Sequence, residues 1–257
     1  MKRSSGLLLA AILFARSAAF AQQPPAAGGG QRAGGPPPMS NLQIFAKDTP
    51  REQVLATMQA FTQALGVQCN YCHVQEGRGG RNDMAADEKA TKKAARAMMT
   101  LARDINAKLP EAIGKSADST TRVGCATCHR GVPNPKQLTD IVAEAAASGG
   151  TTAGLAKYKE LREKFYGSSA YDFSENSLLT AAQRANNARQ ADDALAYLQA
   201  NLEYNPKSSR SYLLMSLIHN AKGDKTAAIK DREKAVELDA NNAQAKAQLQ
   251  QLRGQGQ

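Results

Sequence analysis

Cys69-Asn70-Tyr71-Cys72-His73 and Cys125-Ala126-Thr127-Cys128-His129 decide how this 257-residue chain is read, because together they use all four of its cysteines in one pattern, C-x-x-C-H. The spacing has a chemical reason. Each of two cysteine sulfurs three residues apart can form a thioether to one vinyl group of a porphyrin, and the adjoining histidine is then held where it reaches the iron from one face. The motifs therefore predict two covalently bound haem c groups, one through Cys69 and Cys72 and one through Cys125 and Cys128, with His73 and His129 as iron ligands. A zinc site is disfavoured, since the two C-x-x-C pairs lie much further apart than the ~15–20 residue gap of a compact ribbon. Disulfides or a thioredoxin-like pair need no histidine after the second cysteine, and no βαβ pattern surrounds either motif.

The N-terminus points to export. Lys2 and Arg3 precede an apolar run from Leu7 to Phe14, and Ala19-Phe20-Ala21 before Gln22 has the small-x-small form of a signal-peptidase site. Residues 1–21 thus read as a signal peptide that leaves no membrane span after cleavage, and no nearby cysteine offers a lipid anchor. The expected location is periplasmic or secreted, outside the bacterial cytoplasm, where c-type haem is attached. Residues 22–40, dominated by Gly, Pro, Ala and Gln, cannot bury a core and read as a disordered linker.

The formal charge of +10 falls to +7 without the leader's Lys2, Arg3 and Arg16, and haem propionates lower it further. Arg78, Arg81, Lys89, Lys92, Lys93, Arg96 and Arg103 lie close in sequence to the motifs, where they would steer an acidic redox protein partner. No basic stretch is interleaved with aromatics, which argues against nucleic acid.

With no tryptophan and 5% aromatic residues, the chain reads as all-α, its core supplied by haem and by Ala/Leu helix packing. Each iron needs a second axial ligand or an open position, and the only histidine outside the motifs is His219, far along the chain, so methionine is the natural candidate. Thr49-Pro50-Arg51-Glu52 reads as a capping box with proline at the first helical position, opening a helix to Leu65 that Gly66 ends. Val54, Met58, Phe61 and Leu65 share one stripe, so a reversal at Gly66 would set the Met58 sulfur opposite His73. A second helix is predicted over Asp87 to Leu109, stopped by Pro110. Met98 shares a stripe with Ala94, Leu101 and Ile105, and Met99 with Ala95, Ala102 and Asn106, so Met98 is the expected buried ligand opposite His129.

The order of the capped helix with Met58, Leu65-Gly66-Val67-Gln68 before the first motif, Ala95-Arg96-Ala97-Met98, Asp104-Ile105-Asn106, and Arg130-Gly131 and Pro133 after the second motif resembles the cytochrome c subunit of photosynthetic reaction centres. The resemblance runs over about Asn41 to Pro135. It implies that a helix before each haem carries the axial methionine, pairing Met58 with His73 and Met98 with His129. It also exposes departures. The resembled subunit carries four haems and this chain has motifs for one pair; its histidine after the A-R-x-M helix is replaced near Ala112; and its lipid-anchoring cysteine is missing. A free-standing dihaem carrier of the same fold is what the resemblance implies.

From Asn176 a second rhythm begins. Ala194-Leu195 aligns with Ala228-Ile229, and Leu202-Glu203-Tyr204-Asn205-Pro206 with Val236-Glu237-Leu238-Asp239-Ala240, at the 34-residue period of tetratricopeptide repeats. Tyr212, Met215, Ser216, Gly223, Ala228 and Ala235 occupy that repeat family's large, small and turn positions, whereas Arg232 stands where an aromatic is usual and the first repeat lacks its turn glycine. A helix over about Ala153 to Tyr166, with Tyr158, Leu161 and Phe165 on one stripe, is expected to cover the open end. The expected layout is a dihaem domain over 41–140, a connector over 141–174, and repeats with a capping helix over 175–252.

Three functions are compatible with these features. The leading one is a non-enzymatic electron carrier passing single electrons between redox proteins, with the repeats as a docking module. A dihaem peroxidase-like enzyme needs an open iron and acid-base residues above it, and the chain gives it little support, since no spare histidine lies near the motifs and each iron has a candidate methionine. A repeat scaffold with redox- or gas-sensing haems is the third.

Overall fold

The computed structural model describes residues 39–75 and 82–254. The leader, its cleavage site, most of the linker, and Arg78 and Arg81 lie outside the described residues. As expected, the fold is all-α: nine helices and one two-residue-per-strand β-hairpin make up the regular structure among the described residues. None of these helices is long and apolar enough to cross a membrane.

Helix α1 spans Arg51–Leu65, behind Pro50 at φ −55°. The helix starts where expected, but Pro50 sits one position before it and no side chain caps it. Gly66 ends it at φ +64°, donating its N–H to Thr62. The first motif follows as a 3-10 turn over Cys69–Tyr71 and runs into β1, Val74–Gln75, paired antiparallel with β2, Asn82–Asp83. This hairpin had no signature in the sequence, because two-residue strands carry no readable period.

Helix α2 covers Ala90–Ala112 with Pro110 inside it, so the proline does not stop the helix. It lies in the last turn, where its missing N–H removes one bond and the chain still closes through Ile113 N–H to Leu109 O. The second motif is itself a short helix, α3, Cys125–His129, left through Arg130 and Gly131 at φ +48° and +88°.

The span α4, Leu138–Phe165, holds two helical segments that meet at a bend, because Gly149 (φ −144°, ψ 22°) and Gly150 (φ +75°, ψ 179°) are non-helical. The second segment begins close to the expected Ala153, and the first, from Leu138, is an addition to the expected connector. Leu138 and Val142 before the bend, and Tyr158 and Leu161 after it, join the main hydrophobic core with Leu178, Leu179, Ala182, Leu195 and Leu198. The connector does cover the first hairpin, as its stripe required, and it does so with both of its halves.

The remaining helices are α5 (Glu175–Asn187), α6 (Ala191–Tyr204), α7 (Ser209–Ala221), α8 (Lys225–Leu238) and α9 (Ala243–Gly254), with α5 on α6, α7 on α8, and α9 on α8. They stack as a short α-hairpin solenoid. Ala194 and Ala228, one period apart, are both fully buried. Arg232, in the aromatic position, is buried and bonds Ser216 Oγ through Nε at 3.1 Å and Gln248 Oε1 through Nη1. His219 packs against Asp231 at 2.7 Å, and burial pushes the Asp231 carboxyl up while His219 opposes it.

Arg189, one 34-residue period before Gly223, adopts φ +61° where Gly223 has +84°. A side chain in this left-handed region costs about 1–2 kcal/mol. Arg189→Gly is therefore expected to stabilise the protein by a large part of that amount, read as a higher urea midpoint with an unchanged slope. A lowered midpoint would show that the arginine side chain contributes more than its backbone costs.

Candidate haem-binding site

Both motif histidines are held by the same device. His73 Nδ1 donates to the backbone carbonyl of Met84 at 2.9 Å, and His129 Nδ1 donates to that of Val132 at 3.1 Å. A carbonyl can only accept, so each Nδ1 carries the proton and each Nε2 is left with its lone pair for a metal. A backbone carbonyl behind the imidazole is the partner that fixes tautomer and ring orientation in metal-ligating histidines. Burial holds the His73 imidazole below its ordinary pKa; the Met84 carbonyl opposes this, and Lys92, Lys89 and Arg96 reinforce it. The neutral ring that ligation requires is thereby favoured.

Helix α2 spans the two motifs. At its start Thr91 Oγ1 donates to Tyr71 O at 2.6 Å, Lys89 Nζ binds Asn70 O, and Lys92 Nζ binds Met84 O at 2.9 Å. Near its other end Asn106 brackets Val123, two residues before the second motif, donating to Val123 O at 2.8 Å and accepting from Val123 N at 2.7 Å. Fifteen residues separate Thr91 from Asn106, about 22 Å of helix. A second tie joins the motifs directly: Gly131 N–H donates to Ala64 O at 2.8 Å, placing the exit of the second motif on the end of α1 that leads into the first.

The cysteines form no disulfide. Among the described residues no group of three or more His, Cys, Asp or Glu side chains is arranged to hold a metal ion, so the zinc alternative gains no support. Met58 lies half-buried on α1, on the stripe that runs from buried Val54 through half-buried Phe61 and Leu65. Met98 departs from expectation: it is 52% exposed, whereas Met99 is half-buried. The physical reason is that no helix covers the Met98 stripe, so Leu101 at 51% and Ile105 at 37% are exposed with it.

That stripe is the observation against which a haem can be tested. Up to the start of α4, the buried apolar residues are only Val54, Ala64, Val74 and Val132 among the described residues, too few to constitute a core for a region of this size. A large apolar group attached at the motifs would supply the missing interior, and the exposed Met98, Leu101 and Ile105 offer it an apolar face. The residues present fit haem: paired thiols, an oriented imidazole at each motif, and an apolar face.

Sequence reasoning identified the motifs but not Lys89, Thr91, Lys92 or the carbonyls of Met84 and Val132. Backbone acceptors have no signature in sequence. Asn106 had one, since it lies two turns from Met99 on the same face, but it was legible only as part of a stripe.

Two C-x-x-C-H motifs with histidines held in this way define a c-type cytochrome. The family described as photosynthetic reaction centre cytochrome C subunit matches residues 9–253, and the chain belongs to that family. It is similar to cytochrome c-554 of Chloroflexus aurantiacus, 41% identical over 87 residues covering 32% of this chain and 18% of that protein. It is also similar to the photosynthetic reaction center cytochrome c subunit of Rubrivivax gelatinosus, 34% identical over 92 residues covering 33% of this chain and 24% of that protein. The chain thus spans less than a quarter of the length of these curated relatives. Among solved structures, the first tetratricopeptide repeat domain of Spaghetti (RPAP3), bound to an HSP90 peptide, aligns with 46% of this chain and 88% of its own at 15% identity and a TM-score of 0.32.

Proposed function

We propose that this chain is an exported dihaem c-type cytochrome that passes single electrons between redox proteins and is not an enzyme. The observation that carries the reading is the pair of histidines, each fixed through Nδ1 to a backbone carbonyl and each following a pair of free thiols. Haem c supplies a one-electron iron couple when bound; the chain's own residues hold it and set its surroundings. Cys69 and Cys72, and Cys125 and Cys128, would hold the haems through thioethers, and His73 and His129 would each supply an imidazole to an iron. Met58 and Met98, each on the helix that precedes its motif, would supply the second ligand.

Two thioether-ligated irons leave no coordination position for peroxide, which separates a carrier from a peroxidase-like enzyme. The stacked hairpins after residue 174 read as a tetratricopeptide-like module for docking a protein partner, supported by the 34-residue period and the closed core on α4. The leader and linker fit a periplasmic or secreted location.

Denaturing intact-mass measurement after expression with the haem-attachment machinery tests the cofactor count: two haems per chain are expected, and fewer would sink the dihaem reading. The ligand assignment has its own test. Met98→Leu is expected to remove about half of the sulfur-to-iron charge-transfer absorption, and Met99→Leu none of it. The reverse pattern would move the ligand to the half-buried neighbour.

A further inference from the structure

Lys92 is one of the few buried charged side chains, at 9% exposure, and it lies directly behind the first motif histidine. Its ammonium donates to three successive carbonyls, Met84 O at 2.9 Å, Ala85 O at 2.9 Å and Ala86 O at 2.8 Å. Those bonds use all three of its donors. Met84 O is the same oxygen that accepts from His73 Nδ1 at 2.9 Å, so one carbonyl holds the imidazole on one lone pair and an ammonium on the other. Asp87 Oδ1, closed off from solvent, lies 3.2 Å from Lys92 Nζ and 2.9 Å from Arg96 Nη1 without a well-aligned donor of its own. The Arg96 guanidinium and then the Asn41 amide hold the Asp87 carboxyl well below the usual carboxylate range, so it is ionised at neutral pH. The carboxylates nearby are Asp87 and Asp83, the latter accepting from Ala85 N–H and Ala86 N–H at 2.9 Å, and the cations are Lys92, Arg96 and Lys89; the charges that act on His73 are the three cations, so its surroundings are net positive. At the second motif Val132 O takes the His129 bond, and no lysine or arginine of the described residues donates to it.

We propose, on the dihaem reading above, that Lys92 is a positioning residue that sets the reduction potential of the first haem above that of the second. Two effects act in the same direction. An ammonium on Met84 O makes that oxygen a poorer acceptor, so the His73 ring gains less imidazolate character and stabilises ferric iron less. The cluster's net charge also disfavours the more positive ferric state. An electron shared between the two sites therefore rests at the one held by His73, and the pair has a direction: inward at the second motif, outward at the first.

The test is a spectroelectrochemical titration of the full holoprotein, with the second wave identified by its shift in Met98→His. Lys92→Met is expected to lower the first wave alone, cutting its reduced-to-oxidised ratio at fixed potential by about tenfold, which is about 59 mV for a one-electron couple. Lys92→Arg, which keeps the charge, is expected to restore most of it. Asp87→Asn, which removes the offsetting carboxylate, is expected to raise the first wave, and this opposite sign decides the matter alone if Lys92→Met does not accumulate. A merely structural lysine would move both waves together or shift both variants the same way, and either result overturns the proposal. So does a first wave left unchanged in Lys92→Met. Fewer than two haems in the wild-type protein would instead remove the dihaem reading, which the mass measurement detects separately.

Discussion

Gly66→Ala is expected to leave both motifs poorly loaded with haem when the protein matures, and to lower the thermal midpoint sharply. A Cβ at this position would sit 2.2 Å from the carbonyl oxygen of Gly131 and 3.0 Å from its carbon, both backbone atoms that no rotamer change can move aside. Relief requires Gly131 to retreat, and Gly131 is the residue whose N–H is bonded to Ala64 O. The tie between the end of α1 and the exit of the second motif would then be lost, with His129 two residues away. Gly66 also has φ +64°, which adds about 1–2 kcal/mol for any side chain.

Gly114→Ala separates the two contributions. Gly114 has φ +65° but nothing within 4 Å of a Cβ, so this variant bears the backbone strain alone. It should retain both haems and lose only about 1–2 kcal/mol of stability. Equal haem loss in the two variants would show that the approach of Gly131 is not what couples the motifs.

What could be read beforehand follows from where the information is stored. The thioether and imidazole positions are side-chain identities at fixed spacing, so Cys69, Cys72, His73, Cys125, Cys128 and His129 stand in the sequence itself. The 34-residue period likewise announces α5 to α8, because stacked hairpins bury equivalent positions such as Ala194 and Ala228. The clamps on the motifs were hidden, since Lys89, Thr91 and Lys92 act on backbone oxygens, and the two lysines read only as part of a basic cluster facing a partner. Met98 shows a further limit. Stripe reasoning assumes that an apolar face meets protein, and this one stands exposed. The end of α2 was misjudged for a related reason: Pro110 is a local breaker that the last turn of the helix tolerates, whereas Gly149-Gly150 do interrupt the helical backbone before the expected connector helix.

Tyr158 governs the other half of the molecule, and its two simplest variants should move stability in opposite directions. The ring is 2% exposed, meets Phe173 edge-on at 5.7 Å and lies 5.7 Å from Tyr204, so Tyr158→Ala is expected to cost about 3–5 kcal/mol. The hydroxyl is buried with no hydrogen-bond partner. Arg162 is close enough to ease the phenol's ionisation, but burial dominates and pushes its pKa up; Arg162 N–H groups are not aimed at the oxygen. An unsatisfied buried hydroxyl costs about 1–3 kcal/mol, so Tyr158→Phe should gain stability of that order, up to the loss of any water the site admits. Urea denaturation of the two variants measures both effects, and a destabilised Tyr158→Phe would mean that the hydroxyl has a partner in solution. Because α4 contributes Leu138 and Val142 to the same core and begins nine residues after His129, damage at Tyr158 should also raise hydrogen exchange toward the second motif. Exchange confined to α5 and α6 would instead show that the bend at Gly149 and Gly150 isolates the haem region from the stack it supports.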